Sequence, residues 1–351
     1  MLSLCLPRLS QSLQHAFSSM TASSPPSSAS PVDLLILGAG WTSTFLVPHL
    51  GAAHPSVSFA ATTRDGRDGS IRWEFDPRAP PSDYDALPTA KTVLVTFPIK
   101  GAGGSRALVE GYESAKGQRA RWIQLGSTGI WDGGPTLIGS KLANSDPTTE
   151  KDAPLPPAYS SPSDSTSFTW TDRHSPYDKT NPRAIAEDEL LGMHSDTFVL
   201  NLSGLWGGER DPSNWIPRIA SSKQALEVKG SLHLIHGLDV ARAIVAVHLS
   251  SLPSSEKARA GGGTGRRYLL TDLRVIDWWD LASRYPRRLA SSGEGEETPE
   301  AFTWVQELMR EHGVRALPRS PHELGRALDS TEFWHDFGLM PIKGSYEKGR
   351  L

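Results

Sequence analysis

The run Leu34-Leu35-Ile36-Leu37, followed at once by Gly38-Ala39-Gly40-Trp41-Thr42-Ser43, constrains the fold of this chain more than any other segment. Four consecutive aliphatic residues read as a strand buried on both faces, as in a parallel sheet. The two glycines after it make a turn tight enough for a pyrophosphate to approach the backbone. Thr42 to Leu50 then starts a helix whose first N–H groups and dipole face that anion. Strand, glycine turn and helix start stand in the order that dinucleotide binding requires, with Gly38, Gly40, Trp41 and Thr42 as the expected contacts. The third glycine of the usual pattern, which allows close helix–strand packing, is Ser43 here.

Composition narrows what else the chain can do. At 351 residues it can hold one large or two modest domains. A net charge of -3 gives no electrostatic case for nucleic acid, and no apolar run is long enough to span a bilayer. The single cysteine, Cys5, precludes disulfides within the chain and cysteine metal sites, and fits a reducing compartment. The histidines and carboxylates lack metal-ligand spacing, so no metal is expected. Chemistry is left to hydroxyls, carboxylates, histidines, lysines or a bound cofactor.

Residues 1–31 read as a tail outside the fold, rich in serine and proline from Ser18 to Pro31. Leu2, Leu4, Leu6, Leu9, Leu13 and Phe17, with Arg8 and His15, could form an amphipathic segment of transit-peptide type. Pro7 interrupts that segment, and a start at Met20 would omit it. The expected location is cytoplasmic, with mitochondrial import through residues 1–20 as the alternative.

From Val32 onward short aliphatic strands alternate with helical stretches. This predicts an α/β fold, a Rossmann-type doubly wound parallel sheet with a smaller mixed C-terminal lobe. Residues 32–205 are expected to form the NAD(P)-binding domain and 206–351 the substrate lobe, with 231–250 returning to the first. Strands are predicted at Leu34–Leu37, Val57–Thr62, Val93–Phe97, Arg121–Leu125, Thr197–Leu202 and Leu232–Ile235. Helices are predicted at Arg106–Gly117, Asn181–Met193 and Asp239–Leu249. Residues 132–176, Ser254–Gly265 and Ser291–Pro299 read as irregular or surface segments. The loop Pro98 to Gly104, with Lys100, has the composition of a flexible lid. Trp278, Trp279, Trp304, Phe333, Trp334 and Phe337 are expected in the C-terminal core.

The end of the second strand bears on cofactor choice. An acidic side chain there bonds the 2′-hydroxyl of NAD, whereas an arginine accommodates the 2′-phosphate of NADP. Arg64 lies about twenty residues beyond the glycine turn, with Thr63 beside it as a hydroxyl donor. NADP is therefore expected and NAD is the alternative, since Asp65 follows.

Five segments in order then resemble a known group: Gly38-Ala39-Gly40-Trp41; Val95-Thr96-Phe97-Pro98; Ser127-Thr128-Gly129-Ile130-Trp131; Asn201 through Gly207; and Ile235 through Ala243. Together they are similar to the extended short-chain dehydrogenase/reductase superfamily, in its NAD-dependent epimerase/dehydratase-like, atypical branch. The end of the chain, with Ser345-Tyr346-Glu347-Lys348-Gly349, resembles how such chains close. The resemblance implies a Rossmann domain holding NAD(P), with Phe97 and Pro98 among the cofactor contacts, and a smaller lobe closing over a small-molecule substrate. A homodimer is compatible with it.

In this family a serine or threonine precedes a tyrosine, and a lysine follows the tyrosine by four residues. Lysine and cofactor lower the tyrosine pKa, so the phenol exchanges a proton while hydride moves. Ser127 and Thr128 occupy the hydroxyl position, and Tyr177 is the natural tyrosine. Four residues past Tyr177, however, stands Asn181, and Lys179 is only two away. A second alignment sets Arg183 in place of the lysine, with Glu187 one helical turn on. Arg183 would then hold a phosphate, a carboxylate or the cofactor ribose, or else pair with Glu187 on the surface. His236 and Asp239 sit where strand meets helix and read more readily as packing and capping residues. Two functions follow. One is an NADP-dependent oxidoreductase or epimerase acting on a small carbonyl, hydroxyl or sugar-nucleotide substrate. The other is a non-catalytic NAD(P)-binding sensor or scaffold.

Overall fold

The computed structural model describes residues 30–132, 170–251, 265–284 and 300–344. The N-terminal tail with Cys5 and Met20, most of the 132–176 segment, the loops expected near 254–264 and 291–299, and Ser345–Gly349 lie outside the described residues. The chain divides into two compact units. The first comprises Met1–Ser127, Lys179–Asn201 and Gly237–Tyr268, and the second Thr128–Asp178, Leu202–His236 and Leu269–Leu351.

The strands are β1 (Val32–Leu37), β2 (Phe59–Thr63), β3 (Ile71–Arg72), β4 (Ala90–Val95), β5 (Arg121–Ser127), β6 (Thr197–Leu202), β7 (Gly204–Trp206), β8 (Ser231–Leu232), β9 (Leu234–His236), β10 (Arg266–Leu270) and β11 (Ile276–Asp277). Seven of them form one sheet in the order β10-β6-β5-β4-β1-β2-β3, and β1 pairs in parallel with both β2 and β4. The chain runs from β1 outward to β3, then returns to the other side of β1 with β4. The order therefore reverses between β1 and β4, where open α/β sheets form a ligand crevice at the strands' carboxyl ends.

Both faces of this sheet are covered, which explains the unbroken aliphatic runs. On one face Leu35, Leu37, Val93, Val95 and Trp122 pack with Leu108, Val109 and Tyr112 of α2 (Gly104–Lys116) and with Ala186 and Leu190 of α3 (Pro182–Met193). The alternate residues Leu34, Ile36 and Leu94 are buried facing the other side. There α1 (Ser43–Ala53) packs against α4 (Gly237–Leu249). A Cβ at Gly237 would lie 2.2 Å from the Phe45 ring, so glycine is what lets the two helices meet.

Differences from the sequence reading have local causes. Strand β4 starts at Ala90, three residues before the apolar run, because Ala90 already pairs with Val32. Helix α4 begins at Gly237, two residues before the expected start, and the buried Asp239 lies in its first turn, paired with Arg242 at 2.9 Å. The β4–α2 loop is pinned rather than free as a lid. Gly101 N donates to Pro182 O at 2.7 Å, and Glu189 of α3 accepts from Gly103 N at 2.9 Å and Arg106 N at 3.0 Å. That carboxylate thereby caps the positive end of α2.

The second unit has two small pairings, β7 with β9 and β8 with β11. Its core gathers Trp278, Trp279, Leu281 and Ala282 of α5 (Trp278–Arg284), Val305 and Leu308 of α6 (Glu300–Glu311), and Ile216 and Leu226. Trp304 packs against this cluster, and Phe333 and Trp334 of α7 (Thr331–Asp336) are buried as well. Among the described residues no helix is long and apolar enough to cross a membrane.

Candidate functional site

The carboxyl ends of β1 and β4 meet in a constrained turn. Gly38 has φ +90°, which an L side chain adopts only under strain, and a Cβ there would lie 2.8 Å from Thr96 Oγ1. Thr96 Oγ1 donates to the Leu37 and Gly38 carbonyls, and Gly38 N donates to Thr62 Oγ1 at 3.0 Å. Three strands thus fix the first glycine. Gly40 differs. A Cβ added there meets nothing within 4 Å, so its side-chain direction opens on space. Helix α1 follows, with Thr42 and Ser43 buried at its start. Ser43 is accommodated at the third-glycine position with 3% exposure and its hydroxyl buried. Trp41 sets its ring edge-on to Phe45, 5.0 Å between centroids, and lies only partly buried.

Two further elements border this crevice in the first unit. Past β2, Thr63 Oγ1 accepts from Gly66 N at 2.9 Å and bonds Ser70 Oγ at 2.6 Å, closing the loop behind it. Arg64 projects outward with a side chain 81% exposed, 3.9 Å from Glu74. Asp65 turns to Arg67 at 3.2 Å. Past β4, Phe97 stacks on Phe75 with centroids 5.8 Å apart, and Pro98 is exposed.

At the end of β5 the side chains of α3 arrive. Asn181 Oδ1 caps α3 by accepting from Arg183 N at 2.9 Å, and Pro182 occupies the first turn. Arg183 Nη2 donates to Leu125 O at 3.2 Å. A cation in the first turn opposes the helix dipole, so its presence there has to be offset by partners. Glu187 does not form the surface pair with Arg183 that i,i+4 spacing allows. It is fully buried, and its Oε2 accepts from Asn201 Nδ2 at 2.8 Å and Arg267 Nη2 at 3.3 Å. Burial pushes its carboxyl above the usual range, while Arg267, Asn201 and Arg183 pull the other way. Asn201 and Arg267 escaped the sequence reading. The only hint was Asn201 at the head of the Asn-Leu-Ser-Gly-Leu-Trp-Gly segment.

The candidate hydroxyls divide between the units. Ser127 ends a segment of the first, whereas Thr128 and Tyr177 belong to the second. Within the second, Thr128 opens a 3-10 turn to Trp131, and Asp178 N donates to Ile130 O at 2.9 Å. This brings Tyr177 edge-on to Trp131, 6.0 Å between centroids. Arg326 also holds the turn, bonding Asp132 and donating from Nη2 to Thr128 O at 3.3 Å. Lys179 stands two residues past Tyr177 and Arg183 six, so neither cation takes the position four residues on. His236 is buried 4.6 Å from Trp206, in keeping with packing. Among the described residues no group of histidines, cysteines and carboxylates could hold a metal ion.

No protein-family model matches the chain, and no curated protein does. Solved structures do. One described as an NAD-dependent epimerase/dehydratase from Methylobacillus flagellatus is 16% identical, covering 90% of this chain and 94% of that one with a TM-score of 0.51. Vestitone reductase from alfalfa is 14% identical over 90% of this chain and 94% of that one, with a TM-score of 0.49. UDP-glucose 4-epimerase from Thermus thermophilus, solved with NAD, is 12% identical over 88% and 94%, with a TM-score of 0.48. Reversed strand order, glycine turn and the first of these structures agree on a Rossmann-type α/β fold for this chain.

Proposed function

We propose that this protein is an NADP-dependent oxidoreductase or epimerase acting on a small carbonyl, hydroxyl or sugar-nucleotide substrate. The observation that carries the reading is the contrast between the two glycines. Gly38 is enclosed and strained by Thr96, whereas Gly40 leaves open the space a Cβ would fill, directly before the N-terminus of α1. A pyrophosphate would sit there against the start of α1, with Trp41 and Thr42 alongside, while the Gly40 N–H stays bound to Gly38 O at 2.8 Å. Thr63 and the exposed Arg64 would receive the adenosine ribose, and the arginine suits a 2′-phosphate. Asp65 lies 3.2 Å from Arg67 in an exposed pair, and NAD remains the alternative cofactor. Phe97 and Pro98 would flank the cofactor, and Arg183 would hold its ribose or an anionic group. The first unit then serves the cofactor and the second the substrate.

A bound nicotinamide supplies or accepts the hydride. The chain's own residues do the rest. Ser127 or Thr128 would hydrogen-bond the reacting oxygen, and Tyr177 would exchange the proton. Arg183 cannot give up a proton at ordinary pH, so unlike a lysine it serves only to hold and polarise.

Asn181, four residues past Tyr177 where the resembled family has lysine, favours the second reading, a protein that binds NAD(P) without turnover. Fluorescence titration separates the claims. Purified protein should bind NADPH more tightly than NADH, and Arg64→Asp should reverse or abolish the preference. Equal affinities unaffected by the substitution would sink the assignment of Arg64. Tyr177→Phe should suppress turnover of any substrate found, and an unchanged rate would move proton exchange to another group.

A further inference from the structure

We infer that Asn201, oriented by the buried Glu187–Arg267 ion pair, is a positioning residue for Ser127 at the carboxyl end of β5. The inference rests on the proposed role of Ser127 at the reacting oxygen. Asn201 Nδ2 donates to two acceptors, Ser127 O at 3.0 Å and Glu187 Oε2 at 2.8 Å. Arg267 Nη2 donates to the same carboxylate oxygen at 3.3 Å and to Asp188 Oδ1 at 3.0 Å. Asn201 and Glu187 have no exposure at all, and Arg267 has 9%.

The chemistry gives this chain a direction. An ionised carboxylate only accepts, so the carboxamide must turn its NH2 toward Glu187, and the same NH2 then meets the Ser127 carbonyl. Were the amide reversed, two buried acceptors would face its oxygen, at a cost of about 1–3 kcal/mol each. Arg267, donating to the same oxygen, favours the ionised, accepting form against the burial that raises the carboxyl. Gly126 completes the arrangement. A Cβ there would lie 2.5 Å from Asn201 Nδ2 and 2.7 Å from Glu187 Oε1, so only glycine lets the pair reach the strand. Three elements distant in sequence (α3, β6 and β10) thus converge on one carbonyl, that of the residue carrying the candidate hydroxyl.

The test exchanges the two groups. Glu187→Gln with Asn201→Asp keeps the shape and volume of both side chains and one buried carboxylate in the network, and sets that carboxylate, which only accepts, where Asn201 Nδ2 donates to Ser127 O. Circular dichroism should stay native, and NADPH affinity should stay within about threefold of wild type. Amide exchange over residues 124–131, read by mass spectrometry, should accelerate roughly tenfold, the worth of one such bond. The fluorescence yield of bound NADPH should change as it does in Ser127→Ala, a variant that leaves exchange in this segment slow. Unchanged exchange would overturn the clamp. Faster exchange without the change in nicotinamide fluorescence that Ser127→Ala produces would reduce the network to a structural one and overturn its positioning role. If Ser127→Ala itself leaves the fluorescence unaltered, or wild type binds no dinucleotide, the role of Ser127 fails and the inference with it, a failure distinct from that of the clamp because exchange is read separately. Should the double exchange not fold, Gly126→Ala, whose methyl displaces the Asn201–Glu187 pair, takes its place with the same expected and overturning results.

Discussion

The two units are held together by different means. In the first, aliphatic layers on both faces of the sheet come from runs that are contiguous in sequence, such as Leu34–Leu37 and Val93–Val95. Its buried polar groups are dispersed, from Thr42, Ser43, Thr62 and Thr63 beside the glycine turn to Glu187, Asn201 and Arg267 at the end of β5. In the second, the segments come from distant parts of the chain, and a few buried polar ties join them. Asp277 is the hub of one. Its carboxylate accepts from Trp279 N at 2.8 Å and from Arg319 N, Nε and Nη2, the last at 2.6 Å. Arg319 also donates to Lys229 O and lies 3.7 Å over the Trp279 ring. A layered core spreads its stabilisation over many interchangeable contacts, whereas a hub concentrates it. Polar substitutions at Asp277 or Arg319 should therefore hurt far more than those at the first unit's exposed ion pairs, its own buried pair Glu187–Arg267 apart.

Asp277→Asn or Arg319→Met should show the largest effect. Asp277 has no side-chain exposure and Arg319 has 8%, so removing either partner leaves a buried charge uncompensated, at about 3–5 kcal/mol. Urea unfolding with limited proteolysis should show early loss of peptides from 269–344. A loss under about 1 kcal/mol would mean the hub is no stronger than a surface pair and would erase the contrast.

Acid should widen the same contrast. His233 is 6% exposed, and its Nε2 accepts from Leu328 N at 3.0 Å. Burial, with Arg326 adding to it, lowers its pKa from 6.5 to about 3. The folded group is thus neutral where the unfolded one protonates. Its contribution is complete above pH 6.5 and fades as pH falls toward about 3, by up to about 1.4 kcal/mol per pH unit. His233→Gln, whose amide oxygen can take the Leu328 N–H, should flatten melting temperature against pH between 6.5 and 4. Parallel wild-type and variant curves would rule out His233 as the acid-sensitive tie.

The contrast also explains what the sequence disclosed. Order and approximate extent of the first unit's elements were legible because both faces of a parallel strand are apolar and the helices between follow a 3.6 period. Strand β3 went unread because Ile71–Arg72 carries no pattern of its own and is set by pairing with Thr62 and Thr63. Strand β10 begins with Arg266-Arg267, which suggests surface until Glu187 and Asp188 are seen to receive Arg267. At the site the glycine turn, Arg64 and Arg183 were legible through local spacing. The clamp on Ser127 was not, because Glu187, Asn201 and Arg267 acquire meaning only when three elements fold together. For the same reason Asp277 and Arg319 gave no signal.

Within the first unit, the two glycines should separate stability from binding. Gly38→Ala forces a side chain into φ +90° and against Thr96, and should cost roughly 1–3 kcal/mol along with any NADPH binding. Gly40→Ala meets no protein atom and should stay within about 0.5 kcal/mol of wild type. Its methyl would occupy the proposed pyrophosphate space, so NADPH affinity should fall by about tenfold or more. Unimpaired binding by Gly40→Ala would remove the observation on which cofactor binding rests.

The smallest effect belongs to the opposite end of the sheet, where Lys91 Nζ lies 2.7 Å from Asp33 Oδ1 with the lysine side chain 78% exposed. Hydrogen bonds from Lys91 and Ser58 lower the Asp33 pKa from 3.8 to about 2. A depressed carboxylate stabilises the fold above its unfolded pKa, and the gain disappears as pH falls from 3.8 toward about 2. Solvent screens the pair, so Lys91→Met should remove less than about 1 kcal/mol at neutral pH, and less again in high salt. The layers formed by Leu34–Leu37 and Val93–Val95 do not depend on it, whereas the second unit's core is tied through Asp277 itself. A salt-insensitive loss at Lys91 as large as that at Asp277 would show that the first unit also hangs on a single ion pair, and the distinction between a layered core and a hub would fall.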